Sequence, residues 1–226
     1  MSLHNTSLMT ESIKVSPKTW QLPISYDDSY HIDTGFGNQI RAILYRRGFI
    51  EKDQIDQYIC PKLISDPLSD FNDLQKAIER LCLACKSGES IAICGDYDAD
   101  GMTSTALLIN IFSILGANVI PIIPDRLTEG YGLNSNIIES LRTNNINLIV
   151  TVDNGVSSIE ALTLANKYAI DVIVSDHHEI NNELPSIYAI IHPLLTPQDS
   201  QFRTLAGVGL AYIIASELLK YCNCYS

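Results

Sequence analysis

SIAICGDYDADGMTSTALL, residues 90–108, decides the fold. The β-like run from Ser90 to Cys94 enters a loop that carries Asp96, Asp98 and Asp100 at alternate positions, and Gly101 leads on into an apolar helical segment. A strand, a polar loop and a helix in that order open a βαβ unit. Its carboxylates then lie at the carboxyl end of the strand, where parallel sheets bind ligands. The pattern returns twice: Leu148 to Val152 precedes Asp153-Asn154-Gly155, and Val172 to Val174 precedes Ser175-Asp176-His177-His178. Three polar loops are thereby expected on one sheet edge, the layout of a metal-dependent phosphate-chemistry site.

Outward from these motifs, short Ile/Val-rich runs at 91–94, 119–123, 148–152, 172–174 and 189–191 alternate with helical segments near 102–115, 135–143, 157–168 and 207–221. The alternation predicts an α/β fold, a mainly parallel sheet with right-handed crossovers and helices on both faces. Upstream the spacing is helical, with Ile40, Ile43, Leu44 and Ile50 in one segment and Leu74, Ala77, Ile78, Leu81 and Ala84 in another, closed by Lys86-Ser87-Gly88. The expected organisation is a disordered tail or remnant over residues 1–20, a helical lead-in over 21–88, and the α/β catalytic domain over 89–226.

With 226 residues and 46% hydrophobic content the chain can bury a substantial core. A net charge of −11 argues against gripping nucleic acid by general electrostatics, so a polyanionic substrate needs metal, a local basic patch or another domain. The start lacks a basic stretch followed by an apolar one. The longest apolar region, Thr105 to Pro124, is interrupted by Asn110, Ser113, Gly116, Asn118 and Pro121. A soluble, cytoplasmic protein without membrane contact is expected. Of the six cysteines, Cys82 and Cys85 form a CxxC and Cys222 and Cys224 a CxC. Helical spacing beside Leu81 and Leu83, with no histidine nearby, favours structural thiols over a zinc site.

The acidic loop also matches the opening of a calcium-binding EF-hand loop. That loop needs a glutamate at its twelfth position, here Leu107, and an incoming helix rather than a strand. A solvated acidic turn is the other reading, but three carboxylates within five residues repel one another unless a cation offsets them. Asp153 before Asn-Gly is by itself a turn former whose weight comes from the other two loops. Adjacent histidines on an extended segment point in opposite directions, so His177 and His178 are expected to divide between ligating metal and donating to a phosphate oxygen. Carboxylates with one imidazole suit Mn2+ or Mg2+. Gly207 and Gly209, before an apolar helix, could let backbone N–H groups approach an anion, with helix packing an equal explanation. Arg126, with Gly130-Tyr131-Gly132, offers a cation and an aromatic ring to a phosphate and a base, or is an ordinary surface loop.

GDYDADGMTS from Gly95, VTVDNG from Val150 and SDHHE from Ser175 resemble successive motifs of the DHH phosphoesterase superfamily. PDRLTEGYGLN from Pro124, LAGVGLAY from Leu205 and the helical lead-in around Asp66 to Ala84 resemble its branch of single-strand-specific 5′-to-3′ DNA exonucleases, and the similarity covers about residues 35–221. The resemblance implies Asp98, Asp100, Asp153 and His177 as metal ligands, with Asp153 bridging two ions, and Asp96 as a further candidate. It implies His178 on the substrate phosphate; Arg126 and the Gly207 and Gly209 backbone are expected from their own chemistry to stabilise charge on the phosphoryl oxygens. Where many members carry a histidine four residues before Asp98, this chain has Cys94. The implied activity is metal-dependent release of 5′-mononucleotides from single-stranded DNA in repair and recombination, with a single-strand-binding protein or a helicase as partner of the whole protein. Such proteins continue to a fourth motif with another aspartate ligand. The chain therefore reads as their N-terminal part, expected to bind metal weakly and digest little alone. A DHH phosphoesterase on short oligonucleotides or cyclic dinucleotides, and a non-catalytic scaffold of the same fold, are the alternatives.

Overall fold

A computed structural model describes residues 35–60, 66–125, 130, 132–180 and 184–222. They fall into two compact units, within residues 1–62 and within 63–226. The first contains α1 (Asn38–Arg46), which buries Leu44, and α2 (Lys52–Ile59), which buries Ile55. A capping box starts α2: the Gln54 side chain accepts the Glu51 N–H at 3.3 Å, satisfying a donor that the helix itself cannot.

The second unit is built on a five-stranded, all-parallel sheet in the order β2-β1-β3-β4-β5, with β1 (Ser90–Cys94), β2 (Asn118–Ile122), β3 (Leu148–Val152), β4 (Asp171–Ser175) and β5 (Ala189–Ile191). Strands β1, β3 and β4 are continuous apolar runs because both of their faces are covered. Pro121 is tolerated in β2 because that strand lies at the sheet edge, where a missing N–H costs no ladder bond. Side chains alternate across the sheet, so Ile91 and Ile93 enter one apolar cluster while Ala92 and Cys94 enter the other.

Helices α4 (Leu74–Ser87), α5 (Ala99–Ile114) and α8 (Gly207–Tyr221) pack into the first cluster; α6 (Ser135–Thr143) and α7 (Ile159–Lys167) pack into the second. The expected α/β architecture with helices on both faces is therefore present. The short α3 (Pro67–Asp70), capped by Asp66 on the Leu68 N–H, leads into α4. The units divide after residue 62, not after residue 88. The physical reason is the stripe of Leu74, Ala77, Ile78 and Leu81, which is buried against the sheet with Ile91 and Ile93. Arg80 adds ion pairs at 2.7 Å to both Glu89 and Asp171. Periodicity reveals the helix but not its partner.

The fold also brings the CxxC and CxC stretches together: the Cys82 and Cys222 sulfurs lie 3.2 Å apart, between α4 and the end of α8. Cys224 and residues 1–20 lie outside the described residues. Among the described residues no helix is long and apolar enough to cross a membrane. After β1 the chain crosses to β2 on one side and returns to β3 on the other. The switch point between β1 and β3 is where such sheets open a crevice at their carboxyl ends.

Candidate metal centre

The loop after β1 folds tightly against the first turn of α5. A side chain on Gly101 would put its Cβ 2.5 Å from the Asp96 backbone, and one on Gly95 would sit 2.0 Å from the Thr105 hydroxyl. Asp98 is the N-cap of α5: its Oδ1 accepts the Asp100 N–H at 2.9 Å and the Gly101 N–H at 3.0 Å. The Gly101 N–H is the main reason the Asp98 carboxyl is held below the usual carboxylate range; modest desolvation opposes this, and the Asp100 N–H and a bond to Asp153 add to it. Asp96 is buried, with Oδ1 on the Tyr97 N–H at 2.7 Å. A strand before the loop and a helix through Leu107 exclude the EF-hand.

The loop after β3 places Asp153 at φ +62°, a left-handed backbone that is uncommon outside glycine and is found where surrounding structure enforces it. The enforcing contacts are identifiable. The Asp153 N–H donates to the Ser175 carbonyl at 3.0 Å, and the Asn154 amide donates to the Cys94 and Val152 carbonyls at 3.0 and 2.9 Å. Asp153 is 1% exposed. Burial first, then the charges of Asp100 and Asp98, push its carboxyl up to about 6, against the opposing pull of His177 and His178.

After β4, Asp176 gathers four donors. Its Oδ1 accepts the His177 N–H (2.7 Å), the His178 N–H (3.1 Å) and His178 Nδ1 (2.8 Å), while Oδ2 accepts the Val156 N–H of the Asp153 loop (2.9 Å). The histidine rings do not point in opposite directions: the strand ends at Ser175 and the backbone bends at His178, so the ring centroids lie 4.8 Å apart and the two residues divide by partner. His177 Nε2 lies 2.9 Å from Asp153 Oδ1 and 3.4 Å from Asp100 Oδ2, whereas His178 turns to Asp176. Burial disfavours a charged His178, but the hydrogen bond and charge of Asp176, with Asp153 and Asp96 beyond, outweigh it and raise its pKa.

Two sets of ligand atoms thus lie within 4.8 Å of one another, Asp96-Asp98-Asp153 and Asp153-His177-His178, and Asp153 belongs to both. Among the described residues, no lysine or arginine is ion-paired with Asp96, Asp98, Asp100 or Asp153, so a divalent cation is the natural counter-charge. Oxygen donors with few imidazoles fit manganese or magnesium.

Asp100 stands beside both sets and also anchors a helix, because its oxygens accept the Gly207 and Val208 N–H groups at 2.7 Å each and so tie the start of α8 to the site. The anion at this glycine-bearing helix start is the protein's own carboxylate. Gly207 is required by proximity, since a Cβ there would lie 2.9 Å from that of Asp153 and 3.1 Å from Asp100 Oδ2. Gly209 serves packing, with Leu205 3.0 Å from where its Cβ would be. Cys94 is buried among apolar side chains and belongs to neither ligand set, and burial pushes its thiol up to about 12, so it stays protonated in the metal-free chain. Arg126 lies outside the described residues. Sequence reasoning did not single out Asp176, Asn154 or His192 as site residues. Asp176 was signalled by its place in the triplet, Asn154 looked like a turn former, and His192 carried no signal beyond its position after a strand.

The model of the DHH family, N-terminal domain, matches residues 90–224. The chain is 37% identical over 182 residues to the single-stranded-DNA-specific exonuclease RecJ of Bacillus subtilis, covering 80% of this chain and 23% of that protein. It is 36% identical over 183 residues to RecJ of Escherichia coli, covering 80% and 31%. The chain thus spans about a quarter to a third of the length of these relatives. Among solved structures, an exonuclease RecJ bound to manganese superposes with TM-score 0.64 at 34% identity, over 70% of this chain and 40% of that one. RecJ of Thermus thermophilus with Mn2+ superposes equally, TM-score 0.64 at 29% identity, over 80% and 24%.

Proposed function

The chain belongs to the DHH family, and on that premise we propose that it forms the metal-binding part of a single-strand-specific 5′-to-3′ DNA exonuclease that releases 5′-mononucleotides. The observation that carries the reading is the buried Asp153 shared by two ligand sets at the switch point of the sheet. Relatives bound to manganese and to magnesium support the choice of ion. In this reading Asp98, Asp100, Asp153 and His177, with Asp96, hold the ions. When bound, these ions lower the pKa of a water and neutralise charge on the phosphoryl oxygens.

The chain's own groups do the rest. The two N–H groups at the Asp98 carboxylate and the two at Asp100 fix both carboxylates before substrate arrives, so little reorganisation is left for the reaction itself. Asp176 takes the proton-bearing Nδ1 of His178, which assigns Nε2 to the phosphate and favours the charged ring that an anion needs. The net charge of −11 makes the strand's grip depend on ions and on basic surface beyond this site. For the whole protein, a cytoplasmic setting and a single-strand-binding protein or helicase partner belong to the same reading.

Asp98→Asn keeps an N-cap oxygen and removes the charge, so it separates ligation from folding. In the whole protein, with manganese and a 5′-labelled single strand, nucleotide release is expected to fall more than about 100-fold in this variant, beyond the 10–100-fold typical of outer-shell changes. An unchanged rate would sink the ligand assignment. Faster turnover of a dinucleotide than of the long strand would favour the short-oligonucleotide phosphoesterase instead.

A further inference from the structure

His192 follows β5 and is fully buried. Its Nδ1 accepts the Leu194 N–H at 3.1 Å at the start of a 3-10 turn over Pro193–Leu195, and a ring nitrogen that accepts carries no proton in the neutral form. The hydrogen is therefore on Nε2, which lies 2.8 Å from the His178 carbonyl oxygen, a group that can only accept. The two neighbours specify one tautomer.

The consequence falls on His178. Asp176 already holds its N–H and its Nδ1, and His192 holds its carbonyl. A residue fixed at N–H, C=O and ring nitrogen cannot turn about its backbone without breaking one of these bonds. The Asp176 N–H on the Ile191 carbonyl, at 3.2 Å, ties the same loop to the end of β5. An aliphatic side chain would fill the space after β5 without the desolvation cost of a buried imidazole, so the ring is retained for what it bonds.

We propose that His192 is a positioning residue for His178: its Nε2–H clamps the His178 peptide so that the ring stays on Asp176 and presents Nε2 to the phosphoryl oxygen. The inference rests on the reading of His178 given above.

Two measurements on the full chain test it. In 15N-resolved imidazole spectra, wild-type His192 should be the neutral Nε2–H tautomer, and the His178 Nδ1–H should exchange slowly with water. In His192→Ala that exchange should speed up by at least about 10-fold, and in His192→Gln, whose longer side chain carries an N–H to the position of Nε2 and can donate to the His178 carbonyl, it should return toward wild type. If His192→Ala fails to fold, His192→Gln and the wild-type tautomer decide alone. An Nδ1–H tautomer, or unchanged His178 exchange in the folded Ala variant, would overturn the proposal.

The second measurement is manganese-dependent hydrolysis of bis(p-nitrophenyl) phosphate. His192→Ala should lower kcat about 10-fold and change KM little, and the double variant His178→Ala/His192→Ala should be no slower than His178→Ala. Multiplying losses would overturn the clamp. A wild-type rate in His178→Ala would instead overturn the reading of His178, leaving the tautomer and exchange results standing.

Discussion

Replacing Asp153 by Asn is expected to stabilise the metal-free protein at pH 7 while abolishing its response to manganese. Burial and the facing charges of Asp100 and Asp98 hold the Asp153 carboxyl at about 6, above the ordinary carboxylate value near 3.9. A folded-state value above the unfolded one means a contribution to stability that is complete below about pH 4 and lost as pH rises through about 6. His178, raised by Asp176, acts in the same direction. Asp98, which is lowered, contributes above the unfolded value and loses its contribution only as pH falls below it. Asp153 therefore lowers the stability of the metal-free protein between about pH 4 and pH 6 and His178 lowers it above about 6.5, while His192, lowered by burial, opposes them by gaining stability as pH rises toward about 6.5. Asp153→Asn removes the largest part of that loss, on the order of 1–2 kcal/mol after screening by nearby solvent, or about 2–8 °C in thermal midpoint at this size. Manganese inverts the slope, because protons compete with the ion for the same carboxylate. Scanning calorimetry at pH 5 and pH 7.5, with chelator and with manganese, reads all four conditions. An Asp153→Asn protein no more stable than wild type in chelator at pH 7.5 would contradict the charge crowding inferred at Asp153.

Asp176 should behave in the opposite way. Its carboxylate is 1% exposed and satisfies three backbone N–H groups and one ring N–H from two loops. Asp176→Ala leaves several buried donors unpaired, at a cost on the order of 3 kcal/mol, which lowers the midpoint by about 6–12 °C. The Val156 bond also joins the Asp153 loop to the histidine loop, so the manganese response should weaken with the fold. Asp176→Asn should recover only part of the loss, since its amide nitrogen must face one of the donors. Thermal melts with and without manganese measure both effects. A wild-type midpoint in Asp176→Ala would remove Asp176 from its organising role. Two aspartates at neighbouring strand ends thus carry opposite signs: removing the charge of Asp153 stabilises the metal-free fold, and removing the hydrogen-bond acceptors of Asp176 destabilises it.

The sheet was legible because buried parallel strands are short, uninterrupted Ile/Val runs that end in turn residues, as Leu148 to Val152 ends in Asp153-Asn154-Gly155. Helix identity was legible for the same kind of reason, but partners were not: the stripe on α4 fits any apolar surface, and only the folded chain assigns it to β1. The site shows the same limit. A Gly-x-Gly at a helix start says that an anion can approach, yet nothing local says that the anion is Asp100, about a hundred residues earlier in the chain. Asp176 was signalled only by its place in the triplet, and the bonds of His192 run to backbone, which leaves no pattern in side-chain chemistry.

Isothermal titration of manganese into the metal-free chain tests the central claim, a divalent-metal centre organised on Asp153, most directly. Saturable heat with proton release at pH 7 in the wild type, and none in Asp153→Asn, is the predicted result. No heat and no thermal shift in the wild type would contradict it and favour a non-catalytic scaffold.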